Sequence, residues 1–147
     1  MKRVMTVNIC VLMIMFLTAG MTAKPSSDSR QVRDLITQRS ETLNDYYCGQ
    51  TEFDRTRASL EKIETGRLLR QDIKAMGLYA STDIEQVTDC RVKVLKCRKS
   101  EYGIYKGKAE ITYVLNGTGG RFTQKGRYYF TGEKYRGKIK LTQLKKI

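Results

Sequence analysis

Residues 105–117 read Tyr-Lys-Gly-Lys-Ala-Glu-Ile-Thr-Tyr-Val-Leu-Asn-Gly, or YKGKAEITYVLNG. Tyr105, Gly107, Ala109, Ile111, Tyr113 and Leu115 alternate with Lys106, Lys108, Glu110 and Thr112. Side chains on a strand point to opposite faces with a period of two, so the stretch predicts a β-strand with one apolar and one wet face. Asn116-Gly117 follows at once and predicts a tight hairpin. The partner strand is expected in RFTQKGRYYF, with Phe122, Tyr128 and Phe130 on one side and Arg121, Lys125 and Arg127 on the other. A last strand, YRGKIKLTQL, sets Tyr135, Ile139 and Leu141 against Arg136, Lys138 and Lys140.

Upstream, residues 90–99 read CRVKVLKCRK. Cys90, Val92 and Val94 point one way and Arg91 and Lys93 the other. Leu95 and Cys97 break that parity, which predicts a bulge near Val94-Leu95 that bends the strand. Four strands in sequence order make an antiparallel meander.

Before residue 86 the apolar spacing becomes helical. Asp28 with Gln31 three residues on is a loose capping signal. Val32, Leu35, Ile36, Leu43, Tyr46 and Tyr47 then form one stripe, with an end expected near Cys48-Gly49. Thr51-Glu52-Phe53-Asp54 has capping-box spacing and opens a second helix, with Leu60 and Ile63 on one face. Gly66 interrupts, and the pattern resumes with Leu68, Leu69, Ile73 and Met76 before stopping at Gly77. Helices followed by a meander imply an α+β domain: N-terminal helices packed on one face of a curved four-stranded antiparallel sheet.

At the N-terminus, MKRVMTVNICVLMIMFLTAGMTAKPSS places Lys2 and Arg3 before an apolar run, with Ala19, Gly20 and Ala23 ahead of polar residues. This order predicts an export signal over residues 1–23; the alternative is an uncleaved membrane anchor, since Val4 to Ala23 approaches a bilayer span. Residues 24–147 then form a single α+β domain, 124 residues being enough for one modest core. The protein is expected to be secreted or at the cell surface.

The 147-residue chain carries a net charge of +13, or +11 without Lys2 and Arg3. Residues 24–85 hold 10 Lys and Arg against 11 Asp and Glu, whereas residues 86–147 hold 16 against 4. The excess therefore belongs to the sheet, on the face away from the helices: Arg91, Lys93, Lys106, Lys108, Lys125, Arg127, Lys138 and Lys140. One reading is that these long side chains only solvate the sheet and block edge pairing. The other is a functional electropositive face, because little beyond Glu110 and Glu133 relieves it.

The chemistry is bounded by absences. The chain has no histidine, which removes Ser-His and Cys-His pairs and imidazole ligation of a metal. Among the acids, Asp72 and Asp83 come from the helical half, but Asp72 is expected on a solvated helix face beside Arg70, Gln71 and Lys74, so no catalytic pair is expected. NGTGGRFTQKG lacks the spacing of a phosphate-binding loop and precedes a strand rather than a helix. Cys48, Cys90 and Cys97 without histidine make a poor zinc set, so neither metal nor cofactor is expected. Cys90 and Cys97 lie roughly 23 Å apart along one strand, beyond the about 7 Å that a disulfide spans. A Cys48 bridge to one of them and three free thiols both remain open.

LEKIETGRLLRQDIKAMG followed by VKVLKCRKSEYGIYKGKAEITYVLNG, RYYF and GKIKLTQL resembles small exported proteins of Gram-positive bacteria with a cystatin-like or NTF2-like α+β domain. The resemblance covers most of residues 28–145 and rests on element order. Such families often close the last strand with Gly-Lys-Trp, where this chain has Gly137-Lys138-Ile139. The superfamily includes enzymes and non-catalytic binding domains, so it selects no function.

The expectation is an exported, non-catalytic binding or assembly domain whose basic sheet face meets an anionic cell-wall polymer or membrane surface. Nucleic acid is disfavoured, since Tyr129 apart the cations are not interleaved with exposed aromatics. The alternative is a small-ligand or enzymatic domain using a pocket between helices and sheet lined by Tyr46, Tyr47, Tyr113, Tyr128 and Phe130. The plain counterpart of that pocket is a tyrosine-rich core.

Overall fold

A computed structural model describes residues 26–79 and 85–147. The expected leader and Asp83 lie outside the described residues. Helix α1 (Ser27–Tyr47) starts where Ser26 Oγ accepts the Ser29 N–H at 3.2 Å, and Asp28 sits in the first turn, where the helix dipole favours negative charge. Its buried face is Val32, Ile36 and Ser40, each one turn from the last. Helix α2 (Phe53–Ile63) is capped at Glu52 without a side-chain bond. Thr51, which the capping-box spacing favours, instead sets its hydroxyl 2.7 Å from that of Thr56. Helix α3 (Gly66–Tyr79) runs through Gly77 rather than ending there. An interior glycine costs only about 1 kcal/mol, and the buried Leu68, Asp72 and Met76 hold the helix in place ahead of it.

Strands β1 (Gln86–Lys99), β2 (Ile104–Gly117), β3 (Gly120–Tyr135) and β4 (Lys138–Lys146) pair antiparallel in that order. In β1 the predicted bulge is present: Val94 faces Ala109 and Lys96 faces Lys108, so Leu95 is the extra residue and stands 44% exposed. β1 has another at Thr88, between Val87 opposite Leu115 and Asp89 opposite Val114, and β4 has a third, since Thr131 faces Gln143 and Gly132 faces Leu141, leaving Thr142 over. The β2–β3 turn is not Asn116-Gly117. Those residues continue the ladder opposite Arg121 and Gly120, and Thr118-Gly119 makes the two-residue loop. The β3–β4 turn is Arg136-Gly137, both with positive φ as a type I′ hairpin requires. Tyr135 therefore closes β3 opposite Lys138 and is half exposed, instead of sharing the side of Ile139 and Leu141.

The inner sheet face buries Ala109, Ile111, Phe130 and Leu141 against Val32, Ile36 and Leu68. A second cluster, Leu60, Ile63 and Met76, lies within the helical layer. At Gly107 a Cβ would fall on the Lys96 carbonyl oxygen and 2.5 Å from Phe130 Cζ, so only glycine lets β1 and the Phe130 ring approach this closely. The outer edge of β4 is covered by the α2–α3 connection: Glu64 bridges Leu141 in parallel, and the Thr65 N–H donates to the Leu141 carbonyl at 2.9 Å. Among the described residues, no helix is long and apolar enough to cross a membrane.

Candidate functional site

The sheet face opposite the helices carries a shallow trough of about 470 Å³. The ladder arranges its wall residues in two rows that cross all four strands. One row is Lys96, Lys108, Tyr129 and Lys145; the other is Arg98, Lys106, Thr131 and Gln143. Neighbouring members of a row are one strand spacing apart, about 5 Å, and the rows are two residues apart, about 7 Å. The bulges at Leu95 and Thr142 serve this arrangement. Apolar side chains facing the core run Val92, Val94, Cys97 on β1 and Ile139, Leu141, Leu144 on β4, a spacing of two and then three. The extra residue turns Lys96, Arg98, Gln143 and Lys145 outward. Among the described residues, five cations thus line the trough and no carboxylate does. Tyr129 is 45% exposed, and the Lys108 ammonium lies 5.0 Å from its ring centroid, within cation–π range.

Of the eight cations expected to form the face, the structure gathers Lys106 and Lys108 in the trough. Arg91 is paired with Asp89 at 2.9 Å, and Lys125 with Glu110 at 3.0 Å. Lys93 and Arg127 stand in register with Glu110 from either side. Lys138 borders a separate cleft of about 400 Å³ with Gln31, Asp34 and Lys62. The Lys140 ammonium reaches over the sheet edge to the Glu61 carbonyl and lies 5.2 Å from the Tyr135 ring. Sequence reasoning missed Lys96, Arg98 and Lys145, although the two-then-three apolar spacing carried the signal.

The five aromatic residues considered for an interior pocket are divided between two layers. Tyr46 packs edge-on to Tyr47 at 5.3 Å and Phe53 at 6.2 Å, and its hydroxyl donates to the Met76 carbonyl at 3.2 Å. Tyr113, Tyr128 and Phe130 are on the inner sheet face, with the Tyr113 hydroxyl 3.3 Å from Ser40 Oγ. Burial raises the hydroxyl pKa of Tyr47, Tyr113 and Tyr128.

Between these layers lies an ionic cluster. Arg39 donates from Nε and Nη2 to the two oxygens of Asp72, at 2.8 and 2.7 Å. Asp72 is thus buried in the helical layer rather than solvated, because its spacing of four from both Leu68 and Met76 places it on the apolar stripe of α3. Glu64 is fully buried; its Oε1 is 2.8 Å from Arg39 Nε, but neither carboxyl oxygen has a hydrogen-bond partner. Burial pushes the Glu64 carboxyl up to about 8 against the opposing pull of Arg39, with Asp72 adding to the rise. Burial tends to lower the Arg39 pKa, but Asp72 and Glu64 outweigh it and the net shift is upward.

Cys48, Cys90 and Cys97 are free, half-buried thiols, and burial raises the pKa of Cys90 and Cys97. Among the described residues, no group of three or more Cys, Asp or Glu side chains could hold a metal ion.

No protein-family model matches the chain, and no curated protein matches it. Solved structures do. The intermembrane space region of the chloroplast protein ARC6 aligns with a TM-score of 0.61 at 12% identity, covering 84% of this chain and 98% of that one. Aln2 from a Streptomyces species aligns with a TM-score of 0.53 at 12% identity, over 83% and 91%. A putative calcium/calmodulin dependent protein kinase II association domain from Xanthomonas campestris aligns with a TM-score of 0.51 at 12% identity, over 87% and 91%. What the chain shares with these proteins is the fold, an α+β arrangement of three helices and an open, curved four-stranded antiparallel sheet.

Proposed function

We propose that this chain is an exported, non-catalytic binding domain whose basic outer sheet face holds anionic cell-surface material, a wall polymer or lipid headgroups. The observation that carries the reading is the trough: five cations on one concave surface with no acid among the described residues that line it. Cations that served only to solvate the sheet would gain from interspersed carboxylates. The strand acids stand outside its lining: Asp89 and Glu110 are in ion pairs, and Glu133, two residues beyond Thr131 on β3, stands opposite Lys140. Like charges held together raise the local potential and concentrate anions, most strongly at low salt.

The test is retention of purified protein on anionic vesicles and on anionic wall polymer. Lys96→Glu with Lys108→Glu reverses the sign of one row without touching the core. The double variant should stay folded and lose most retention. Wild-type retention should fall as salt rises from about 0.05 to 0.5 M, where the screening length shrinks severalfold. A folded double variant that binds like wild type, or a wild type that binds neither surface, overturns the reading.

A further inference from the structure

The trough is unequal along its length. Across β1 and β2 it holds only charge: Lys96 opposite Lys108 and Arg98 opposite Lys106, a rectangle of about 5 by 7 Å. Across β3 and β4 it holds the Tyr129 ring, the Thr131 hydroxyl, the Gln143 amide and a single ammonium on Lys145. A flat layer of headgroups or a uniform polyanion would be matched by even charge. This surface offers an anion site joined to a neutral site with a ring and hydrogen-bonding groups.

We propose that the trough reads a phosphorylated saccharide unit, its phosphate on the four-cation rectangle and its sugar ring against Tyr129. The inference deepens the reading of the basic face and rests on it. A phosphate monoester carries about −1.5 to −2 charges and three acceptor oxygens, a match for the four cations that the ladder places at the corners of the rectangle. Arg98 supplies a planar fork, and the lysines act as point charges. Tyr129 is one strand step from Lys108, about 6 Å from the midpoint of the Lys106–Lys108 side of the rectangle and about 8 Å from its centre, so a phosphate held towards that side leaves its sugar ring beside Tyr129. Thr131 Oγ1 and Gln143 Oε1 are 3.5 Å apart, and these two side chains can each donate to and accept from sugar hydroxyls. The volume of about 470 Å³ suits a small ligand. The Lys108 ammonium covers one face of Tyr129 at 5.0 Å. A phosphate drawing that ammonium into the rectangle uncovers the face, so the two halves of the ligand help each other bind.

Calorimetric titration of the full chain at about 0.05 M salt tests this with glucose 1-phosphate, inorganic phosphate and glucose as probes. Glucose 1-phosphate should bind at least tenfold more tightly than inorganic phosphate, and glucose alone should give no signal. Tyr129→Ala should weaken glucose 1-phosphate binding by about tenfold, the scale of a lost stacking contact, and leave inorganic phosphate within twofold. Tyr129→Phe should keep both affinities, and Lys106→Gln with Lys108→Gln should weaken both. Free and polymer-borne sugar phosphate share this chemistry; glucose 1-phosphate should displace the protein from a sugar-phosphate polymer better than from polyphosphate. If wild type and Tyr129→Ala bind the two phosphates alike while wall polymer is still retained, the inference falls and the basic-face reading stands. If wild type binds neither phosphates nor polymer, the inference falls, and if anionic vesicles are not bound either, both fall.

Discussion

Replacing Glu64 with glutamine should make the protein more stable at neutral pH, by an amount that grows with pH. The Glu64 carboxyl is fully buried, 2.8 Å from an Arg39 Nε whose N–H is directed to Asp72, and its pKa is pushed up from 4.5 to about 8, chiefly by burial. In the unfolded chain the group loses its proton near 4.5, so between pH 5 and pH 8 the folded state binds one more proton than the unfolded state. Stability is then full below pH 4.5 and falls by about 1.4 kcal/mol per pH unit as the pH rises towards 8. Between pH 5 and pH 7 this amounts to roughly 2–3 kcal/mol. The protonated Glu64 carboxyl can donate to Asp72. Glutamine keeps a donor there and cannot ionise. Urea unfolding followed by far-ultraviolet circular dichroism gives the comparison directly. With a slope near 1.5 kcal/mol per molar urea, Glu64→Gln and wild type should have similar midpoints at pH 5 and differ by about 1.5–2 M at pH 7. Midpoint curves that run parallel from pH 5 to 8 would refute the assignment of the proton.

Gly107→Ala forces a Cβ into the Lys96 carbonyl oxygen and the Phe130 ring. A cost of about 2–3 kcal/mol is expected, seen as a fall of roughly 10 °C in Tm by scanning calorimetry; an unchanged Tm would mean the close approach is not there. Deleting Leu95 removes the extra residue and leaves Val94 facing inward and Lys96 outward in an unbroken period of two, so this variant should keep a cooperative urea-unfolding transition, whereas deleting Leu95 together with Lys96 turns Cys97 outward and aims Arg98 at the core and should abolish it. Burial raises the pKa of Cys90 and Cys97, so in the folded protein at pH 7.5 both should alkylate at least tenfold more slowly than in urea, as followed by mass spectrometry. Equal rates would place both thiols in open solvent.

The fold was legible wherever one face of an element is buried and the other is wet. The alternation in Tyr105–Leu115 and the stripe of Val32 and Ile36 each follow from a single period, and both match the structure. Turn placement was harder, because Asn116-Gly117 suits a hairpin but extending the ladder gives two more residue pairs before Thr118-Gly119. Asp72 was misread from its charged neighbours, although its spacing to Leu68 and Met76 marked the buried face. What buries it is Arg39, 33 residues away, and no local pattern encodes that meeting. The trough was half legible. The β1 bulge was expected at Val94-Leu95, but its consequence for every residue after it, Lys96 and Arg98 outward, had to be carried to the end of the strand.

The bond from the Thr65 N–H to the Leu141 carbonyl decides how the fold would yield to a pull on its C-terminus. β4 is an edge strand, so tension at Ile147 opens its rungs with β3 one after another, from Lys146 towards Gln143, each a small mechanical barrier. At Leu141 the opening fork meets a strand held on both sides, by Gly132 of β3 and by the Glu64-Thr65 segment that joins two helices. Passing it means breaking both attachments together and drawing the helical layer along. Extension under force should therefore show a short, soft release followed by one abrupt rupture. The chain's last few residues act as slack, and Leu141 is the stop.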